Sequence, residues 1–340
     1  MVPRSSNARA TGTHHRASGG NAGGPGGGVG RKANQFSLWI VGALLLSVLS
    51  VAVFLNGLAA DDGDEAERDR RALEQDVAAS SEPTAQQEAD DIRVELAAAV
   101  DEVSAEFGVT AGATMRAGGG IVHVGDLQDG PGLSSIKVPV SIAAVQAALR
   151  EGTPVEDLTE DIDAAITVSD NDAALRLWQS LGDDDEAATA LGAVLAQGGD
   201  PTDTNVDRDS ADYEGFGDIG WTLANQAIFA NQMACVLGSE QTVDAMGRLA
   251  EEHAGGLGQL ENAHVKGGWG DTAEGSFILR EFGLVGPVGA QVPVSIGVIP
   301  EDGSEQTSRA AVAELAQRIA PLVEQSSTTG GAAECQVGQE

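Results

Sequence analysis

Hydrophobic periodicity switches twice along this chain, and that double switch constrains the fold more than any other feature. In Glu88–Phe107 the apolar residues Ile92, Val94, Leu96, Val100, Val103 and Phe107 recur at helical spacing, which predicts an amphipathic helix. Two short extended runs follow, Val109–Met115 and Gly120–Val124, joined across a Gly-rich turn as a hairpin. Helical pattern then takes over: about Ser134–Arg150, Asp157–Ala165, Asp172–Leu181, Glu186–Ala196, Thr222–Leu237 and Glu240–Ala254, broken by a long polar loop at 198–220. Strand-like runs return at His264–Trp269, Ser276–Val285 and Gln291–Ile299, and a helix over about Ser304–Val323 closes the pattern. Links between successive strands are too short for crossovers, so the sheet is antiparallel. The expected class is α+β: about five antiparallel strands flanked by helices, with a helical subdomain. No internal repeat is present.

The ends of the chain carry different signals. Residues 1–35 hold five bases, no acid and little apolar material, and are expected to be a disordered tail. Residues 36–60, FSLWIVGALLLSVLSVAVFLNGLAA, carry no charge and are long enough to span a bilayer as a helix. Bases before this run and Asp61, Asp62, Asp64 and Glu65 after it place the N-terminus inside and the rest outside. The expected organisation is therefore a cytoplasmic tail (1–35), a transmembrane signal anchor (36–60), an acidic stalk (61–87), an extracytoplasmic domain (88–325) and a flexible tail (326–340). A cleaved signal peptide, giving a secreted protein, is the alternative reading of 36–60. The formal net charge of −33 argues against nucleic acid as a partner. In an oxidising compartment the two cysteines, Cys235 and Cys335, are expected to pair.

Lysine is the scarce residue here: only Lys32, Lys137 and Lys266 occur. Arginine keeps its proton, whereas a desolvated lysine can release one. Two of the three lysines therefore mark places where proton transfer is expected. Lys137 lies three residues after Ser134 where a Gly/Pro-rich loop enters an apolar helix, so the two share one side of its first turn. A hydroxyl and an amine so placed can exchange a proton, as a serine nucleophile without a histidine requires. A second motif, Ser169-Asp170-Asn171, precedes a helix, where Ser and Asp also serve as ordinary caps. The third, Lys266-Gly267-Gly268, opens the first strand after the helical block. No metal-ligand spacing and no cofactor motif is found. Trp178 and Trp221 are expected in the core, His264 to be a structural or rim residue, and Arg280 to pair with a substrate carboxylate or a nearby aspartate.

With all three motifs in this order, the sequence resembles the penicillin-recognising serine enzymes, the class A β-lactamases and related penicillin-binding proteins, over roughly Glu88–Gln325. It is most similar to actinobacterial β-lactamase-like serine hydrolases. The resemblance implies that Ser134 is acylated, Lys137 helps take its proton, Ser169 relays a proton to the leaving group, and Lys266 supplies positive charge. It further implies that Asn171 and Gly268 line the substrate, and that the N–H groups of Ser134 and Trp269 form an oxyanion hole. Expected partners are β-lactam or peptidoglycan-type peptide substrates, with the membrane engaged through residues 36–60.

Three departures qualify the resemblance. No Glu-x-x-Leu-Asn string is present between the second and third motifs, Gly267 stands where a hydroxyl residue usually follows the lysine, and the first two motifs are closer together than is usual. The loop at 198–220 offers Asp200, Asp203, Asp207, Asp209, Asp212 and Glu214 as substitute acids. Acylation is expected and efficient deacylation is not. A β-lactamase using one of these acids, and a catalytically inactive envelope-binding protein, are the alternatives.

Overall fold

The computed structural model describes residues 84–205, 215–272 and 275–328. All of them fall in one compact unit, Glu82–Glu340. The predicted tail, anchor and stalk lie outside the described residues, apart from the end of the stalk at 84–87. Among the described residues no helix is long and apolar enough to cross a membrane.

The first helix, α1 (Ala85–Phe107), starts three residues earlier than the periodicity indicated. Thr84 accepts from Gln87 N while the Gln87 side chain accepts from Thr84 N, a reciprocal cap that moves the boundary back. Gly108, at φ 62°, ends it. Ile92, Leu96, Val100 and Val103 form its buried stripe, whereas Val94, counted into that stripe from sequence, faces solvent.

Strands β1 (Val109–Ala117) and β2 (Gly120–Gly125) form the predicted hairpin. A 3₁₀ turn, Leu133–Ile136, leads into α2 (Lys137–Glu151). The helical block continues with α3 (Thr159–Thr167), α4 (Asn171–Gln179), α5 (Asp184–Gln197), α6 (Leu223–Met233) and α7 (Glu240–Met246). The α7 helix stops eight residues short of its predicted end at Ala254. At Gly247 a Cβ would lie 2.8 Å from the His264 ring, so the chain leaves the helix where the sheet abuts it. Strands β3 (His264–Asp271), β4 (Phe277–Val285) and β5 (Val292–Pro300) and helix α8 (Glu305–Ser327) complete the order.

The five strands form one antiparallel sheet in the order β2-β1-β5-β4-β3. With eight helices among the described residues the fold is α+β, as the periodicity predicts. The two faces of the sheet differ in chemistry because alternate residues point to opposite sides. One face presents Ala111, Ala113, Val294, Ile296, Val298 and Leu279 to α1 and α8 in a dry core. The other carries Gly112, Thr114, Ser295, Gly297, Arg280 and Gly268. At Gly297 a Cβ would lie 3.5 Å or less from Leu127, Arg280 and Leu223, so small residues here let α6 settle close to the sheet.

The helical block has its own core around Ile142, Ile166, Leu191, Trp221 and Phe229. Trp221 meets Phe282 of β4 edge-on at 4.9 Å, linking that core to the sheet. Cys235 lies just after α6; its predicted partner Cys335 lies outside the described residues.

Gly283 shows how tightly the edge strand β3 is held. It sits at φ 154°, and a Cβ there would lie 2.1 Å from the His264 carbonyl oxygen. Gly283→Ala is expected to cost more than about 2 kcal/mol. That corresponds to a fall of roughly 4 °C or more in the melting temperature of a domain this size, which differential scanning calorimetry would read.

Candidate active site

The site grows out of the junction between β3 and the turn before α2. Leu133 adopts φ 49°, a left-handed conformation that a branched side chain resists. Surrounding hydrogen bonds hold it there. Gly132 N donates to Ile219 O at 2.8 Å, Trp221 N to Gly130 O at 2.9 Å, and Pro131 bridges to Gly220. From the sheet side, Gly268 brings β3 against the same turn. A Cβ at 268 would be 3.0 Å from Gly132 O, Leu133 Cβ and Ser135 N. The strand therefore lies against the peptides flanking Ser134, and Ser134 and Trp269 face one cleft.

A buried polar cluster fixes this turn from below. Arg280, fully buried on β4, donates Nη1 to Pro131 O at 2.9 Å and Nη2 to Gln226 Oε1 at 3.0 Å and to Trp221 O. Gln226 Nε2 donates to Ser135 Oγ at 2.8 Å, and Ser135 Oγ donates to Gly132 O. Ser295 Oγ donates to Gln226 Oε1 at 2.7 Å. Arg280 was expected to meet a carboxylate; its acceptors are instead two carbonyls and an amide oxygen, and it faces away from the cleft. Burial pulls its pKa down to about 10. His264 is structural, with Nδ1 2.9 Å from Val243 O.

The two domain lysines converge on Ser169. Lys137 Nζ donates to Ser169 O and to Asn171 Oδ1, each at 2.6 Å, and lies 3.4 Å from Ser169 Oγ. Lys266 Nζ donates to Ser169 Oγ and to Gly267 O, each at 2.9 Å. Ser169 is itself left-handed at φ 58°. Asp170 caps α4 by accepting from Ala173 N at 2.7 Å, so the triplet is a helix cap and a lysine platform together.

One expected link is absent. Among the described residues nothing hydrogen-bonds Ser134 Oγ, and Lys137 points to the second motif instead of sharing a proton with Ser134 in this state. The serine sits in the 3₁₀ turn, one turn before α2 proper, and two strong acceptors draw the ammonium away.

Burial lowers both lysines: Lys137 to about 8, partly offset by Asp170, and Lys266 to about 7, with the Lys137 charge adding to the effect. Behind β3, Glu281 is buried, accepts from Leu257 N at 2.7 Å, and is pushed up to about 7 by desolvation.

The cleft above these groups has a volume of about 490 Å³. Ser134, Lys137, Asn171 and Trp269 line it; Ser169 and Lys266 lie behind Lys137. The cleft also takes in residues that sequence reading left out as site residues: Leu175, Trp178, Phe216, Asp184 and Asp218. Aspartates in a loop were noticed as a class, but their positions depend on where the loop folds back.

Asp218 sits on a 3₁₀ turn, Phe216–Asp218, packed on Leu133. Of the loop acids expected from sequence, Asp200 is buried under Trp221, accepting its ring N–H at 2.6 Å, and Asp203 is tied to Asn205 at the surface. Neither lines the cleft. Asp207, Asp209, Asp212 and Glu214 lie outside the described residues.

No protein-family model matches the chain, and no curated protein matches it in sequence. Solved structures do. A variant of the last common ancestor of Gram-negative bacterial class A β-lactamases shares 22% identity, with a TM-score of 0.52 over 67% of this chain and 97% of that one. The ancestral class A β-lactamase itself shares 21%, with a TM-score of 0.52 over 67% and 99%. A β-lactamase from Xanthomonas campestris shares 17%, with a TM-score of 0.53 over 68% and 98%. At such identities the likeness is one of fold: this chain has a class A β-lactamase-like fold.

Lysines held below their ordinary pKa make stability depend on pH. Lys266 titrates near 7 when folded and near 10.5 when unfolded, so between those values the unfolded chain binds more protons and stability rises with pH. Between pH 7 and 9 the urea midpoint should therefore climb, at up to about 1.4 kcal/mol per pH unit from this group. Lys266→Met should flatten that climb. The slope left by Lys137 begins only near pH 8, and an unchanged slope in the variant would contradict the assignment.

Proposed function

We propose that this domain is a serine acyl-enzyme of the penicillin-recognising type, acting on β-lactam-like or peptidoglycan-type peptide carbonyls. The observation that carries the reading is the meeting of three motifs distant in sequence. Lys137 and Lys266, more than a hundred residues apart, both reach Ser169 Oγ beside a cleft that contains Ser134. Burying two lysines together is costly, and a purely structural role would be served as well by apolar residues.

In the proposed reaction the Ser134 oxygen attacks the carbonyl carbon, and its proton passes to neutral Lys137. A Lys137 lowered to about 8 has an appreciable neutral fraction near pH 7. The tetrahedral oxyanion is taken by the backbone amides of Ser134 and Trp269. As the carbon–nitrogen bond breaks, Ser169 gives its proton to the departing nitrogen and regains one from the lysine pair. Lys266 and Asn171 orient the substrate.

Release by water is expected to be slow. The carboxylates lining the described cleft, Asp184 and Asp218, accept from the Trp178 ring N–H at 2.8 Å and from Gly215 N at 3.0 Å respectively. A second reading, true β-lactam hydrolysis, has Asp218 in its favour, since its turn packs on the residue preceding Ser134. We further propose that residues 36–60 anchor the domain outside the membrane and that Cys235 pairs with Cys335.

Intact-mass spectrometry of the full chain with a penicillin tests the central claim. A persistent adduct on the parent protein and none on Ser134→Ala is the expected result; rapid loss of the adduct with antibiotic consumption would favour the lactamase reading. Acylation should accelerate with rising pH, with a midpoint near 8, as Lys137 loses its proton.

Gly267 offers a gain-of-function test. A Cβ there meets nothing closer than 3.7 Å, so it can be added without moving the strand. Gly267→Thr supplies the hydroxyl that the resemblance associates with carboxylate binding. It should raise the second-order acylation rate of penicillins roughly tenfold, measured by competition with a fluorescent penicillin.

A further inference from the structure

Glu281 is a buried acid that the proposed chemistry leaves idle. It follows Arg280 on β4 and so points to the opposite face of the sheet, the face on which Leu279 packs with α8. It is only 6% exposed. The chain closes over it at Gly256, φ 50°, where a Cβ would lie 2.4 Å from Glu281 Oε2 and 2.5 Å from Val312 Cγ1. Oε2 accepts from Leu257 N, whereas Oε1 has no hydrogen-bond partner among the described residues.

A carboxylate half satisfied in the interior is costly, and neither nearby cation relieves it. Arg309 of α8 and Lys266 of β3 pull the Glu281 pKa down, yet burial outweighs both and leaves it at about 7. Arg309 is bonded instead to Glu305 at 2.6 Å and lies over the Trp269 ring. Lys266 is held by Ser169 on the far side of the strand.

A cavity of about 230 Å³ reaches this carboxylate, and none of its lining residues lines the Ser134 cleft. Leu279, Val312 and Ala313 give it apolar sides. Glu251 and Glu252, both exposed, also line it, so three carboxylates face one guanidinium that is already bonded. Among the described residues no three acidic or metal-ligating side chains are grouped to hold a metal ion. Negative charge spread along an apolar cavity suits an organic cation better than a bare one.

We propose that this cavity binds a small primary alkylammonium ion, whose N–H groups reach Glu281 Oε1 while its alkyl chain lies against Leu279 and Val312. A primary ammonium supplies a full charge and three donors, which Glu281 lacks. The cavity is smaller than the roughly 300–1,000 Å³ of sites for drug-sized ligands, so an amine of a few carbons is the matching size. Such an ion favours the ionised carboxylate, so its binding displaces the Glu281 proton and tightens as pH rises. The site is independent of the acyl-enzyme reading.

Calorimetric titration of the full-length protein with n-butylammonium chloride tests the site. Butan-1-ol, sodium butyrate and calcium chloride are the comparisons, at constant ionic strength in sodium chloride. A single n-butylammonium ion per chain should bind, at least roughly tenfold more tightly than butan-1-ol, with no saturable binding of butyrate. From about pH 6 to about pH 8 its affinity should rise roughly tenfold, as a group titrating near 7 becomes ionised. Glu281→Gln, which keeps an acceptor for the Leu257 N–H, should remove both the affinity and its pH dependence. The double variant Glu251→Gln, Glu252→Gln, altered only at exposed positions, should weaken binding severalfold. Lys266→Met should keep the pH dependence, which separates Glu281 from the lysine titrating in the same range.

No binding of n-butylammonium, equal binding of butan-1-ol, a preference for calcium, or full affinity in Glu281→Gln would each overturn the site. Ser134→Ala should bind the amine as the parent does. Acylation of Ser134 without amine binding overturns this site alone, and amine binding without acylation overturns only the acyl-enzyme reading.

Discussion

A buried guanidinium is the constraint on which much of this structure depends. Arg280 lies in the middle of β4 with no carboxylate hydrogen-bonded to it, so its charge is solvated by Pro131 O, Trp221 O and Gln226 Oε1. An unsatisfied donor near a buried charge costs on the order of 1–3 kcal/mol or more; both terminal nitrogens of Arg280 find acceptors, and only its Nε is left without one. Each acceptor belongs to a different stretch: the turn before Ser134, the segment after the polar loop, and α6. Satisfying Arg280 therefore fixes those three stretches relative to the sheet. Gln226 passes the constraint to Ser135, beside Ser134. The left-handed Leu133 persists because its neighbours are pinned on both sides.

A second constraint acts across the cleft. Two buried lysines share one hydroxyl, and the Lys137 charge adds to the burial that disfavours the Lys266 proton. Arginine could occupy neither place and still exchange a proton. The surrounding chain is strongly acidic, at −33 overall, but that field does not cancel the local burial that lowers the two lysines. Asp170, whose charge raises the Lys137 pKa against the effect of burial, is committed to capping α4. The cap, the lysine platform and the left-handed Ser169 are thus one arrangement, in which helix α4 starts where the second motif must be presented.

Much of this was legible in the chain before folding. Strand and helix periods gave the element order because each element has one face to bury, and the scarcity of lysine pointed to the two that meet. What periodicity cannot convey is direction in space. Lys137 was placed toward Ser134 by its spacing, yet the carbonyl of Ser169 and the amide of Asn171, more than thirty residues away, hold it instead. Arg280 looked like a ligand for a carboxylate because strand charges are usually exposed, and only the paired strands show it pointing into the protein. Trp178 was expected in the core and is 3% exposed, yet that small area is cleft wall, a distinction no composition rule draws. Asp218 and Phe216 became visible only once the end of the polar loop had folded back against Leu133.

Two adjacent glycines on β3 show how structure separates what sequence treats alike. Gly268 is dictated by packing, since the turn beside Ser134 leaves no room for a Cβ. Gly267 is not, since a Cβ there would find only ordinary contacts at 3.7 Å. Steric need therefore explains one glycine and leaves the other to function. A site that forgoes a hydroxyl beside Lys266 gives up one hydrogen bond to an anionic substrate group.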